Sequence, residues 1–400
     1  MIYKPLGQFV RLSQGLAINK STNHLVSANE NEEFCYPLLR IADMMENRFT
    51  KFISKEVNPT VVASQNDIIY TRTGQIGLVF RGYKGVVHNN SFIIKLINDE
   101  IDENYLYTLL QSNFVRTQAL KLAKNSVQPD LTHEMFKSIM IPIPENKIEQ
   151  IEISKSYNTI VKIIKTNNEI ISELESLAKT IYDYWFLQFE FPNEDGKPYK
   201  SSGGKMVWNE DLKREIPEGW STTNVGNITT CLDSKRVPLS SKDRENMKGS
   251  YPYYGATSEM DSVNEYLFDG DFVLLAEDGS VMDDKGFPIL QRINGKVWVN
   301  NHAHVLQPKK PYRCKLLMFI LKSIPVSMIK TGSIQMKVNQ ENLNAFKVLS
   351  FPENIIEKAN SILDPIDTKI IMLQQENREL ASLRDFLLPM LMNGQVTFKD

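Results

Sequence analysis

Along the chain, short runs of consecutive apolar residues give way twice to long stretches in which apolar residues recur every three or four positions. Asp67 to Tyr70 and Phe92 to Leu96 are runs of the first kind, short enough for buried strands. In the second kind, Ile160, Ile164, Ile171, Leu174, Ala178, Ile181 and Trp185 keep an alternating four-three spacing, interrupted by Asn167. Ile366, Ile370, Leu373, Leu380 and Leu387 keep it again, interrupted by Asn377 and Arg384. Such seams suit either packing of each helix on its own domain or mutual pairing as a coiled coil. Two of them in one duplicated chain favour pairing. At about 1.5 Å per residue, a helix of about 35 to 40 residues spans roughly 50 to 60 Å, which makes it a spacer by geometry.

The chain is duplicated. Leu6 to Val10 is answered by Val225 to Thr229, and Asp67-Ile68-Ile69-Tyr70 followed by Gly74 by Asp271-Phe272-Val273-Leu274 followed by Gly279. Val87-His88-Asn89-Asn90 parallels Val299-Asn300-Asn301, and Ser126-Val127-Gln128 parallels Ser333-Ile334-Gln335. Phe136 to Pro144 matches Phe346 to Pro352, and Ser172 to Leu177 matches Arg378 to Leu383. Each match is short, but their collinearity at an offset of roughly 200 residues marks a long, diverged repeat.

The expected architecture is α+β: two duplicated mixed α/β domains, separated and joined by two long helices that form an antiparallel coiled coil. The expected boundaries are residues 1–145 for the first domain, 146–190 for its helix, 191–218 for a connection, 219–352 for the second domain and 353–400 for its helix. The connection contains Phe191-Pro192, Gly196-Lys197-Pro198, Gly203-Gly204 and Pro217-Glu218, and runs into Gly219-Trp220 at the start of the second domain, a density of turn formers suited to joining globular units.

Composition narrows the class. A chain of 400 residues with 42% hydrophobic content can bury more than one core. No stretch approaches the roughly 20 uncharged apolar residues of a membrane span, and the first residues lack signal-peptide order, so a cytoplasmic location is expected. Cys35, Cys231 and Cys314 lie far apart without a C-x-x-C pair, which argues against a disulfide framework or structural zinc. The formal net charge is only −2, but its distribution is uneven. Between Ile68 and Asn98 the charged residues are Arg72, Arg81, Lys84 and Lys95, and Lys309 to Lys347 carries eight basic residues against Glu341 alone. Both runs are candidate phosphate-facing surfaces.

Catalytic signatures are missing. Gly203-Gly204-Lys205 is followed by Met206 and does not complete a phosphate-cradling loop. Asn58-Pro59-Thr60 fails as an adenine clamp for methyl transfer, and no glycine-rich cofactor loop accompanies it. Asp130, Glu134 and Lys137 give a weak nuclease pattern with the wrong spacing for one strand. His302 and His304 alternate on one strand face without a third ligand nearby in sequence. Recognition is the more economical function.

The order of these pieces resembles the specificity subunits of type I restriction-modification enzymes. The most specific portion is Tyr182-Asp183-Tyr184-Trp185-Phe186, Phe191-Pro192, Gly196 to Lys200, Gly203-Gly204 and Ile216 to Trp220, which is similar to that family's link between halves. Thr71 to Gly77 and Ser126 to Thr132 are similar to motifs of the first reader, whereas the second shows Ala276-Glu277-Asp278-Gly279-Ser280. The resemblance implies a non-catalytic chain that reads a bipartite, gapped sequence in double-stranded DNA with two target-recognition domains. It also implies docking of two adenine methyltransferase subunits and of motor-nuclease subunits. S-adenosylmethionine, ATP and magnesium would then sit on those partners, with no cofactor or metal on this chain.

On that reading, candidate DNA contacts are Arg72, Arg81, Lys84, Asn89, Asn90 and Gln128 in the first half. In the second they are Asn300, Asn301, His302, Lys330, Gln335 and Lys337. Arg can grip guanine and Asn adenine through two hydrogen bonds, while Lys suits phosphate. The paired Asn residues equally suit a scaffold turn, and Gln128 and Gln335 equally suit loop hydrogen bonds. Competing functions are a standalone metal-dependent nuclease and an adaptor that binds only proteins.

Overall fold

A computed structural model describes residues 1–123, 129–332 and 336–392, apart from the side chains of residues 388, 391 and 392. Two compact units result: Met1–Thr166 with the segment from Asn377 onward, and Asn167–Glu376. The long helices, Lys147–Tyr182 and Glu353–Met392, each contribute to both.

In the first unit, Ile2–Pro5 pairs antiparallel with Met140–Ile143, the strand leading towards the first long helix. A four-stranded antiparallel sheet runs Val10–Gln14, Ser91–Leu96, Ile68–Thr71, Val79–Phe80. A five-stranded sheet contains the parallel pair Phe34–Leu39 and Gly85–Val87. Strand Ile68–Thr71 is buried throughout, which is why it reads as an unbroken apolar run. Ile68 and Tyr70 face a core with Phe92, Ile94, Tyr105, Leu109 and Phe136, and Ile69 faces another with Leu39, Val87 and Ile93.

The second unit repeats the plan. Ser221–Asn224 pairs antiparallel with Lys347–Ser350 ahead of the second long helix. Its six-stranded sheet runs Thr229–Cys231, Ala303–Pro308, Phe268–Ala276, Leu290–Val299, Lys248–Tyr254, Glu259–Val263, again with one parallel contact, between Lys248–Tyr254 and Leu290–Val299. The ladders also correct the letter-by-letter matching of the repeats. Thr71 pairs with Ser91 and Ala276 with Ala303, so Ile68 corresponds to Val273, Asn89 to Asn301 and Asn90 to His302. Asp67 therefore answers Phe272, one position away from Asp271.

The predicted helical seams are the half-buried to buried stripes of the two helices. Ile171, Leu174, Ile181 and Trp185 pack against a core that includes Ala178, Ile366 and Ile370 in the second unit, and Val161 and Leu387 pack on the core of the first. Asn167, the polar break in the first seam, is 6% exposed and donates to Glu376 at 3.2 Å. The second helix is also tied to its own domain, because Asn360 donates to the Pro311 carbonyl at 2.9 Å.

The connection is an aromatic plug. The first helix ends in a wider turn, Asp183–Leu187, that buries Phe186 at 4.3 Å from the Phe351 ring. Phe191 stacks between Tyr199 at 4.7 Å and Trp220 at 4.9 Å. A side chain at Gly204 would meet the Tyr199 ring at 2.4 Å, so glycine is required for this packing.

Candidate nucleic-acid interface

In the first unit three segments converge at the end of strand Ile68–Thr71. The chain leaves it through Arg72 and Thr73 into a turn with Gly74 at φ +75, a backbone state that suits glycine. The Arg72 N–H donates to the Asn90 carbonyl at 2.7 Å, and the Leu131 N–H donates to the Arg72 carbonyl at 3.1 Å. The Arg72 side chain repeats these links: it donates to Asp130 at 2.5 Å, to the Leu131 carbonyl at 3.2 Å and to the Asn89 carbonyl at 3.4 Å. Its guanidinium lies over Phe92, 5.5 Å from the centroid. Gln14 donates to the Asn89 carbonyl at 2.6 Å and meets His133 at 3.2 Å. Burial, with Arg72 and Lys137 nearby, holds the His133 pKa below its ordinary value.

The same corner of the second unit has the same backbone and the opposite charge. The Glu277 N–H donates to the His302 carbonyl at 2.9 Å, and the Val338 N–H donates to the Glu277 carbonyl at 2.8 Å. Gly279 takes φ +74. Here the acid stands on the strand and the base, Lys337, on the returning segment, 2.9 Å apart. Arg236 adds a second cation at 2.5 Å from Glu277 and also donates to the Ala303 carbonyl at 2.7 Å. His304 occupies the position of Phe92, with one ring nitrogen at 2.5 Å from Asp233 and the other at 3.0 Å from the Val338 carbonyl. Burial works against ionising Asp233 and Glu277. Hydrogen bonds and charge from His304 and Arg236 on Asp233, and from Arg236 and Lys337 on Glu277, outweigh it and hold both below the usual carboxylate range.

Cys231, Asp233 and His304 bring three metal-binding atoms within 4.8 Å of one another. Arg236 stands 3.3 Å from Asp233, and burial pushes the Cys231 thiol up to about 12. A resident cation and a protonated thiol make this an internal ion-pair network rather than a ready metal site.

Several sequence-predicted contacts are committed within the protein. Arg72 is held as described, and Arg81 pairs with Glu103 at 3.0 Å and Asn104 at 2.9 Å. Of the two roles the sequence allows Asn300, DNA contact or scaffold turn, the structure has the turn: the residue is 4% exposed and its side chain accepts the His302 N–H at 2.8 Å. Asn89 and Asn90 form the corresponding turn, in which Asn90 bonds the His88 ring. Lys337 pairs with Glu277, and His302, half-exposed, pairs with Asp278 at 2.6 Å. Asn301 and Lys84 are exposed and Lys330 half-buried. Neither lysine has an ion-pair partner among the described residues. Gln128 and Gln335 lie outside the described residues. The basic run from Lys309 to Lys347 is not one free face: Lys315 is buried near Asp367, Lys322 pairs with Asp283 and Lys347 with Asp211.

Sequence reasoning missed Asp233, Arg236, Glu277 and His304 as a group. Their one legible signal was the replacement of Arg72-Thr73-Gly74 by Glu277-Asp278-Gly279, with Asp130 giving way to Lys337. No helix among the described residues is long and apolar enough to cross a membrane.

Two domains built on one plan, each presenting a turn corner made of different side chains, define a duplicated α+β fold. A family model described as the type I restriction modification DNA specificity domain matches residues 3–176 and again 217–382. The chain belongs to that family and carries its domain twice. It is 26% identical over 351 residues to the type I restriction enzyme MjaIX specificity subunit of Methanocaldococcus jannaschii, covering 83% of this chain and 78% of that one. The MjaVIII specificity subunit of the same organism is 26% identical over 231 residues, covering 57% and 50%. The crystal structure of a type I restriction-modification S subunit from M. genitalium matches with a TM-score of 0.61 at 18% identity, over 98% of this chain and 96% of that one, a likeness of fold.

Proposed function

We propose that the chain is the specificity subunit of a type I restriction-modification complex acting in the cytoplasm, and that its two units read the two halves of a gapped DNA target. The observation that carries this reading is the corner built twice on one backbone with inverted charges, at Arg72–Asp130 and Glu277–Lys337. One frame closed by two different side-chain pairs suits two turns shaped for two different half-sites, since base edges in the major groove present distinct donor and acceptor patterns. Turn corners supply base contacts, and surrounding lysines such as Lys84 and Lys330 supply phosphate contacts that position the duplex.

The long helices act as the ruler between half-sites, paired antiparallel as a coiled coil, and as the docking surface for two adenine methyltransferase subunits and the motor-nuclease subunits. Methyl transfer, ATP hydrolysis and magnesium-dependent cleavage belong to those partners, with S-adenosylmethionine bound there. The chain itself is a non-catalytic reader. The nuclease alternative is weakened because Asp130, its candidate metal ligand, is already engaged by Arg72.

Selection from a random duplex pool, with the full chain in complex with its methyltransferase partner, tests this. The expected product is two short blocks at a fixed spacing, bound with a steep salt dependence. A pool without any enriched motif, bound independently of salt, would leave the protein-only adaptor.

A further inference from the structure

Each recognition corner is closed by one ion pair between the strand end and the segment that returns to a short helix. In the first unit that helix is His133–Lys137, capped by Thr132, and in the second it is Gln340–Ala345, capped by Asn339. The pairs join residues far apart in sequence, Arg72 to Asp130 and Glu277 to Lys337, and both sit beside a bridge between strand end and returning segment, Thr73 with Asp130 and Asp278 with Lys337. Two backbone bonds are shared by the corners, from the strand end to the neighbouring turn and from the returning segment to the strand end, whereas the side chains differ: an Arg–Asp pair in the first unit, and a Glu held by Lys337 and Arg236 in the second.

We propose that Arg72–Asp130 and Glu277–Lys337 are positioning pairs: each holds the glycine turn of its own unit in the conformation that reads its half-site. This inference rests on the DNA-reading function proposed above. Arg72 acts through the turn and not on a base, because each of its three side-chain nitrogens already bonds within the protein, to Leu131, Asn89 and Asp130, and its plane is covered by Phe92. Among the described residues Asp130 Oδ1 is buried with no hydrogen-bond partner, although the side chain as a whole is 39% exposed, and Arg72 is the side chain that hydrogen-bonds this carboxylate. The inverted polarity has a further consequence. A strand-turn segment from one unit joined to the returning segment of the other would set Arg72 against Lys337, or Glu277 against Asp130. Like charges would face each other at the closure, and functional hybrids must exchange both sides together.

The test compares the wild-type chain with Arg72→Glu, Asp130→Lys and the double variant, as full chains with the methyltransferase partner. Hydrogen exchange over residues 72–78 and 129–137 reads the closure, and duplex selection reads each half-site separately. Each single change is expected to speed exchange about tenfold, the effect of losing a partly buried charge-assisted bond, and to blur one half-site only. The double variant re-forms an ion pair of reversed polarity and restores most of both readouts, with only the bonds of Arg72 to the Leu131 and Asn89 carbonyls lost. Lys337→Glu, at a half-exposed lysine whose partner keeps Arg236, blurs only the other half-site and guards against a folding failure in the first unit.

Unrestored exchange in the double variant overturns the closure. Restored exchange with a lost half-site overturns positioning and makes Arg72 a direct DNA contact. A wild-type complex that selects no motif removes the DNA reading itself, and this is seen before any variant is compared.

Discussion

Arg292, on the central sheet of the second unit, donates to Asp367 of the second long helix at 3.0 Å, and the two side chains are only 13% and 9% exposed. Lys315 approaches the same carboxylate at 3.8 Å. A buried ion pair is weak evidence of net stability, but breaking one strands the remaining charge. Arg292→Met is expected to destabilise the second unit by about 3 kcal/mol, and adding Asp367→Leu should recover only part of that loss, because buried Lys315 then loses its carboxylate. Urea unfolding of the full chain, followed through tryptophans of the second unit, measures both.

Asn167 interrupts an otherwise apolar seam and is held by Glu376, which is exposed enough to be hydrated without it. A polar residue at such a position fixes register at a cost in stability. Asn167→Leu should raise the melting temperature by a few degrees, corresponding to about 1 kcal/mol, and leave the ends of the pairing less uniquely aligned. Calorimetry reads the first effect, and disulfide trapping between cysteines introduced along the two helices reads the second.

Gly74 and Gly279 are needed for conformation alone. A side chain at either would meet nothing within 4 Å, yet both backbones have positive φ. Gly74→Ala and Gly279→Ala should each cost about 1 to 2 kcal/mol, and Gly74→Asn less, because Asn tolerates this region better. Equal losses for Ala and Asn in equilibrium unfolding would show that steric contact, not backbone strain, sets the requirement.

The corner of the second unit should be sensitive to acid. Asp233 and Glu277 titrate lower in the fold than their ordinary values of 3.8 and 4.5. As pH falls through those values the unfolded chain takes up protons first. Stability present above about pH 4.5 is therefore lost progressively below it. Glu277→Gln should flatten this dependence in the second unit and leave that of the first unchanged. Unfolding at stepped pH, with exchange resolved by segment, separates the two.

How much of this was legible in the sequence depends on how local each signal is. The helical seams were, because the spacing of Ile160 to Trp185 and of Ile366 to Leu387 is a property of one segment, and even Asn167 fell where the pattern broke. Strand Ile68–Thr71 was visible as an apolar run because both of its faces are buried. That uniformity also hid its register: without polar alternation, Asp67 matched Asp271 by letter although the ladders align Ile68 with Val273. Charge was least legible. Arg72, Arg81, Lys315 and Lys347 look free in sequence because Asp130, Glu103, Asp367 and Asp211, which neutralise them, arrive from other elements. A basic run reports a phosphate-facing surface only when its partners are not supplied by the fold.

The most direct measurement is a map of adenine methylation in cells lacking other methyltransferases, expressing this chain with its methyltransferase partner. Wild type, first-unit turn variants and second-unit turn variants would be compared. One gapped motif that depends on this chain is expected, with turn changes in either unit altering one half of it and leaving the other half and the spacing intact. Methylation that is unchanged without the chain, or absent despite a stable complex, would contradict it.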